Sequence, residues 1–290
     1  MSLILKKITV VLISYNSSKK LKKFVKIIPN FTKILIIDNS NDHGLKKIFK
    51  YKKNVKIFYK KNEGYGSSIN YAAKKLKTPY FLVVQPDVKG IKKNSLLDFY
   101  KYAKKIKDKF SVIGPHFIKA PNKGHYQTNL KYKIKKIHNV HGSTMFFNKK
   151  IFNIIKGFDK NIFLYWEETD YTKRAKKIGY TAYQLNTVKV NHEKGKAVEI
   201  KNEKEKEKLE NLYIWHFIWS KFYYFKKHYG HIISLIYFIP ILIRIIFRVC
   251  FYKIINDNKF IRYYCRWDGL KNSILNRKSS MRLDKIPTVL

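Results

Sequence analysis

The sequence predicts an α/β protein: a doubly wound, mostly parallel sheet over about residues 1–200, then a helical, basic and aromatic region over about 201–290. Three observations carry this. Apolar, β-branched runs alternate with segments of helical periodicity through the first two-thirds of the chain. Polar residues able to do chemistry cluster where those runs end, and open α/β sheets bind ligands beyond the carboxyl ends of their strands. After about residue 200 the strand-like runs stop, and charged then aromatic residues at helical spacing take over.

In order, ITVVLIS (8–14) is a continuous apolar run, as a strand buried on both faces requires. SSKKLKKFVKII (17–28) has apolar residues at helical spacing behind a serine start. KILIIDNS (33–40) is a second strand ending in turn formers, and VKIFY (55–59) a third. GYGSSINYAAKKL (64–76) reads as a helix entered through glycines. YFLVVQPDV (80–88) is a fourth strand stopped by Pro86, SLLDFYKYAKKI (95–106) a helix, and SVIGP (111–115) a fifth short strand. Residues 116–150 are less regular, with HGSTMFFNKKIF (141–152) a strand turning into a short helix. YTAYQL (180–185) and VKVNH (188–192) are strands, and 202–230 is one long helix.

A chain of 290 residues, 45% hydrophobic, can bury a full core. Its 62 Lys+Arg against 19 Asp+Glu give a net charge of +43, a field that attracts nucleic acid, acidic lipid headgroups or phosphorylated substrates. The surplus is nearly all Lys beside abundant Ile, Asn, Tyr and Phe, the profile of AT-biased coding. A solvated coat is therefore the alternative to an anionic partner, and charge alone names no partner. Cys250 and Cys265 make neither a disulfide framework nor a metal cluster, so a reducing cytosol is expected. MSLILKKITVVLISYN is not expected to be a signal peptide: its apolar run is short, carries Lys6 and Lys7, and lacks a small-residue cleavage site.

Residues 231–254 stand apart. Their cleanest apolar stretch, 232–243, contains Pro240 and is shorter than the ~20 residues a spanning helix needs. Beyond it Arg244 and Arg248 lie one helical turn apart on one face. That pattern suits a helix lying in a membrane surface with its arginines near lipid phosphates. A buried core helix and a true span are the alternatives.

Four ordered pieces, VVLISYN (10–16), IIDNSND (36–42), NEGYGSSIN (62–70) with VVQPDV (83–88), and GFDKNIFLYWEETDYTKR (157–174) with VNH (190–192), together resemble family 2 glycosyltransferases of the GT-A fold. The likeness spans about residues 8–195 and is nearest to the rhamnosyltransferase-like branch. It implies transfer of a sugar from a nucleotide-diphosphate donor to an acceptor hydroxyl, with inversion at the anomeric carbon.

The resemblance also implies roles for individual residues. Asp38 would accept the imide N–H of a uracil or thymine base, against the plainer reading of a turn residue after a strand. Tyr15 and Asn16 would lie against the nucleotide, and Asn62, Gly64 and Asn70 form the helix entry that meets the donor. Asp87 would hold the donor's divalent cation, Mg2+ or Mn2+, with His192 approaching the metal and diphosphate. Gln85 stands where the family's first acid is found and offers only a neutral oxygen.

Of the chain's scarce acids, Glu167, Glu168 and Asp170 fall within four positions behind an aromatic run, with Arg174 one turn on. An inverting transferase needs a carboxylate to take the acceptor's proton. Glu168 matches the family's base, Glu167 and Asp170 share a helical face, and Asp170 can pair with Arg174. The plainer reading is that acids in a first helical turn complement the helix dipole. His141, Gly142 and Trp166 would lie on the acceptor side.

The expected partners are a dTDP- or UDP-linked sugar, rhamnose being the first candidate, a lipid-linked or cell-surface polysaccharide acceptor, and an anionic membrane surface. The expected location is the inner face of the cytoplasmic membrane. Two rivals stand beside this reading. One is a basic nucleic-acid-binding protein, although no RNP-like or helix-turn-helix signature is present and no nucleic acid is expected. The other is a GT-A scaffold without activity, which Gln85 brings into view.

Overall fold

The computed structural model describes residues 2–119, 131–193, 195 and 197–287. Residues 120–130, inside the stretch expected to be irregular, lie outside the described residues. The chain forms two compact units, Met1–Asp159 with Glu168–Glu199, and Lys160–Glu167 with Ile200–Leu290.

The first unit opens with α1 (Ser2–Leu5) and β1 (Ile8–Ser14), then α2 (Ser18–Ile27), β2 (Lys33–Asp38), α3 (Gly44–Ile48) and β3 (Val55–Tyr59). There follow α4 (Tyr65–Lys75), β4 (Tyr80–Val84), β5 (Val88–Lys89), α5 (Lys93–Lys105) and β6 (Ile113–Phe117). It closes with β7 (Ile134–Ile137), β8 (Thr144–Asn148), α6 (Lys149–Ile154), α7 (Glu167–Lys177) and β9 (Ala182–His192). Among the described residues nine strands form one sheet in the order β3-β2-β1-β4-β8-β6-β9-β5, with β7 also pairing β9.

Strands β1 to β4 are mutually parallel, and every residue of β1 and β4 is buried, as their continuous apolar runs require. Register then sets the site. Ser14 pairs with Asp38 and Leu12 with Val84, so the residues after all three strands emerge along one edge. Beyond β4 the sheet is mixed: β8 is antiparallel to β4 and β6, whereas β6 and β9 are parallel. The mostly parallel arrangement expected from the sequence therefore describes the first four strands. The antiparallel half gives no alternating signal, because β8 is itself buried on both faces.

Phe146 and Phe147 point to opposite faces of β8 and anchor the two halves of the core. Phe146 stacks with Phe99 at 5.2 Å and Tyr80 at 5.6 Å, while Phe147 meets Phe158 and Tyr171 edge-on. Burying each such ring contributes about 1.5–3 kcal/mol. Two expected strands, 180–185 and 188–192, are one, β9. β6 runs two residues beyond its expected end, and its register with β9 shifts between Pro115 and His116, where proline has no N–H for the ladder. α1, α3 and β7, of four or five residues each, are too short to show a period.

The second unit holds three helices, α8 (Glu203–Tyr229), α9 (His231–Ile254) and α10 (Lys259–Ile274), and a 3-10 turn at Leu283–Lys285. Asn202 caps α8 by accepting the Glu205 N–H at 2.9 Å, and Glu203 and Glu205 complement the dipole in its first turn. Gly230, at φ 91, makes the turn into α9 in a conformation other residues avoid. Gly269 lets α10 close on α8: a Cβ there would lie 2.6 Å from the Trp215 carbonyl. Ile218, Phe222, Phe238, Ile245 and Leu270 pack among the three helices.

α9 runs unbroken through Pro240 for 24 residues, about 36 Å. It is thus longer than the apolar stretch singled out in the sequence. Among the described residues it alone is long and apolar enough to cross a membrane, by length and composition.

Candidate active site

The site is built on the strand tips of the first unit. At the end of β2, Asp38 is fully buried and spends both carboxylate oxygens on its own loop, accepting from Ser40 Oγ at 2.9 Å and the Asp42 N–H at 2.8 Å. Half-buried Tyr15 and Asn16 follow β1, and Asn16 takes φ 45. Its N–H donates to Ser40 Oγ, and its carbonyl accepts the Glu199 N–H at 2.7 Å. The Asn39 amide exchanges hydrogen bonds with Ser68, tying β2 to α4.

Asn62 Oδ1 accepts the Gly64 N–H at 3.2 Å, and Gly64 enters α4 with φ 104. Asn70, further along α4, faces the chain rather than open solvent: its Nδ2 donates to the Phe158 carbonyl at 2.8 Å and its Oδ1 accepts the Phe158 N–H at 2.9 Å. It therefore clamps α4 to the turn before the acidic segment.

After β4, the Gln85 N–H donates to the Ser143 carbonyl at 2.8 Å. Pairing of Val88 with His192 across β5 and β9 sets the next two groups side by side. His192 Nε2 stands 3.3 Å from Asp87 Oδ2. Both Asp87 oxygens and His192 Nδ1 are buried without a hydrogen bond. A desolvated carboxylate left this way is costly unless a cation or donor meets it. One carboxylate and one imidazole suit Mn2+, provided a diphosphate and water complete its shell; with Mg2+, Asp87 would be the ligand and His192 would face the phosphate oxygens. Among the described residues no cluster of three or more His, Cys, Asp or Glu side chains is present.

The His192 ring lies 5.0 Å from that of His141. The Ser143 N–H donates to His141 Nδ1 at 3.2 Å, so the neutral ring carries its proton on Nε2. Next along the chain, Gly142 faces Glu168: a Cβ at Gly142 would lie 3.8 Å from the Glu168 carboxyl carbon. The Gly142 carbonyl accepts the Tyr65 hydroxyl at 2.7 Å. Asp87, His192, His141, Gly142 and Glu168 thus form one continuous line of contacts.

The three acids have separate surroundings. Burial pushes the Glu168 carboxyl up to about 7, opposed only in part by its own backbone N–H. Glu167, the first residue of α7, is buried at 4% exposure. Asp170 is fully buried and accepts from Arg174 Nε at 2.8 Å. The same guanidinium donates to the Ile155 and Gly157 carbonyls, so Asp170 and Arg174 brace the end of α6. Ahead of α7, Tyr165 and Trp166 both take positive φ, 66 and 69, which is strained backbone for aromatic residues. Within the second unit, Trp166 packs on Phe217 and Tyr224 of α8.

Three residues of the site carried no distinctive signal in the sequence. Tyr65 ties α4 to Gly142, and Ser143 orients His141. Asn139 donates to Thr169 Oγ1 at 2.7 Å, holding the His141 loop to α7. Only the position of Tyr65 behind Gly64 and of Ser143 behind Gly142 hinted at them.

Residues 9–229 match the model of Glycosyl transferase family 2. The low-salt glycan biosynthesis hexosyltransferase Agl10 of Haloferax volcanii is 20% identical over 207 residues, 64% of this chain. The match spans 66% of that relative, just under two thirds of its length. Residues 1-349 of S. aureus TarS, solved with UDP-GlcNAc, superimpose with a TM-score of 0.52 at 16% identity, over 72% of this chain and 66% of that one. GalNAc-T7, solved with UDP, GalNAc and Mn2+, gives 0.52 at 13% identity, over 75% and 49%. These structures share the GT-A type of α/β fold with the first unit's mixed sheet. With most of its length matched by the family model, the chain belongs to glycosyl transferase family 2.

Proposed function

We propose that this chain moves a sugar from a nucleotide-diphosphate donor to an acceptor hydroxyl, inverting the anomeric centre, with Glu168 as the base. The observation that carries the reading is the Glu168 carboxyl, raised to about 7 and facing Gly142 on the line of contacts that begins at Asp87 and His192. A base poised near neutrality combines a useful ionised fraction with proton affinity. Glu168 takes the acceptor proton as the oxygen attacks, and the donor's diphosphate leaves on the opposite side of the anomeric carbon. Asp87 and His192 hold the diphosphate end. A divalent cation bound there would neutralise the leaving group's charge. His141, oriented by the Ser143 N–H, stands on the acceptor side.

Donor and acceptor follow from likeness. The TarS and GalNAc-T7 structures contain UDP or a UDP-sugar, and Agl10 is named for glycan biosynthesis. Rhamnose from dTDP is the donor suggested by the rhamnosyltransferase-like motif order, and a lipid-linked or polysaccharide glycan is the acceptor class. The exposed apolar residues of α9 and the net charge of +43 support a peripheral position on the inner face of the cytoplasmic membrane.

The test is donor hydrolysis across a panel of UDP-, dTDP- and GDP-sugars with and without Mn2+. Metal-stimulated release of one nucleoside diphosphate, lost in Glu168→Gln, is expected. Tight, steeply salt-dependent RNA binding with no hydrolysis of any donor would overturn the reading.

A further inference from the structure

Within the second unit, α8, α9 and α10 line an open recess of about 180 Å3. Four cations line it: Lys221 from α8, Arg244 and Arg248 from α9, and Arg266 from α10. Helix packing has added two charges, remote in the chain, to the arginine pair visible in the sequence. Ile218 and Ile245 supply a buried apolar side. Among the described residues no carboxylate pairs with any of the four cations. Arg248 donates instead to the Tyr263 hydroxyl at 2.6 Å and lies over its ring.

Gathering four like charges in one recess is unfavourable without an anion. Burial, then the neighbouring cations, depress the pKa of both Lys221 and Arg266. Arginine forks match phosphate oxygens in pairs, and a doubly charged phosphate offsets more of this repulsion than a singly charged diester. The helix that contributes Arg244 and Arg248 also carries an apolar stripe turned outward. Ile232, Ile236, Ile239, Ile243 and Phe247 recur at spacings of three and four, each at least half exposed. A soluble phosphate would satisfy the cations and leave that stripe in water; a lipid satisfies both.

We propose that this cavity seats the phosphate of a phosphomonoester or diphosphate lipid headgroup, with the outer face of α9 lying in the adjoining acyl layer. Arg244 and Arg248 fall near the middle of α9, where a bilayer-spanning pose would hold them at its apolar centre. Lying flat, the helix keeps them at phosphate depth. This rests on the membrane-surface part of the proposed function and is independent of the transferase chemistry, because vesicle binding reads it without any sugar donor.

The test is flotation of the full chain with phosphatidylcholine vesicles containing phosphatidic acid or phosphatidylglycerol at matched surface charge. The chain should prefer phosphatidic acid by about tenfold. Arg266→Gln and Lys221→Gln should cut that preference to within about twofold, whereas Lys204→Gln with Lys278→Gln, both exposed, weakens both vesicle types alike. Arg244→Gln, an exposed position, gives the same answer should Arg266→Gln fold poorly. Equal binding to both vesicles, or loss of the preference in the exposed-lysine control, would refute the site. Inorganic phosphate binding the chain as tightly as phosphatidic acid vesicles do, and losing that affinity in Arg266→Gln and Arg244→Gln, would assign the cavity to a soluble anion and overturn the lipid headgroup.

Discussion

His192 Nε2 stands 3.3 Å from Asp87 Oδ2, and neither the carboxylate nor the far ring nitrogen of His192 has a hydrogen bond of its own. Two buried polar groups that face each other with hydrogen-bonding capacity unused are prepared for something that arrives with the ligand.

Asp87→Asn keeps the shape and removes the charge. It should lower Mn2+-dependent nucleoside-diphosphate affinity by at least about tenfold while leaving the Tm of the metal-free protein no lower. Titration calorimetry with and without Mn2+, set beside a melting curve, checks both. His192→Ala should cause a smaller loss of the same kind.

Glu168→Gln should leave nucleoside-diphosphate binding within about twofold of the unaltered chain and reduce transfer by about 10²–10⁴-fold. If Glu168 is the base, kcat in the unaltered chain rises with pH through a midpoint at about 7, since only the ionised carboxyl accepts the proton. A flat profile from pH 5 to 9 in a Glu168-dependent reaction would move the role to another group.

The same carboxyl makes stability depend on pH. Its folded pKa of about 7 lies above the ordinary carboxyl value of 4.5, so the folded state holds the proton more tightly. The stability this contributes is complete below the unfolded pKa and is lost as pH rises through the folded one. Glu168→Gln, which never ionises, should therefore gain on the unaltered chain by up to about 3 kcal/mol between those limits and no further above them. Denaturant melts at several pH values measure the gap.

Gly157→Ala should be destabilising by about 1–3 kcal/mol, because φ there is +59 and the new Cβ would sit 2.4 Å from Asn70 Oδ1. Asn70→Ala should cost a similar amount by stranding the Phe158 backbone groups. The double variant should cost less than the sum, since Asn70→Ala deletes the atom the methyl strikes. Urea melts of the four proteins complete the cycle.

The parallel half of the sheet was legible because β1 and β4 are buried throughout and β2 is buried beyond Lys33, so that all three read as apolar runs. Their shared edge followed, because polar residues sit at the ends of those runs. What stayed hidden depends on contacts between distant segments. Nothing local says that Tyr65 reaches Gly142 or that Asn139 reaches Thr169, 77 and 30 residues away. Asn70 reads as a donor-side residue from the motif order, yet its amide is spent on Phe158, and the Asp38 carboxylate is spent on its own loop. A motif marks which residues matter to a site and is silent on which atoms face the ligand.

β5 and β9 share only two rungs, Val88 with His192 and Lys89 with Asn191. That short ladder works as a ruler for the diphosphate end. Deleting or adding one residue along β9 would slide Asn191 or Glu193 into the place of the imidazole and turn His192 to the opposite side of the strand. Natural variation in length should therefore spare 182–192 and collect in the connections on either side, so that counting gaps in related sequences would locate this measuring device without any structure.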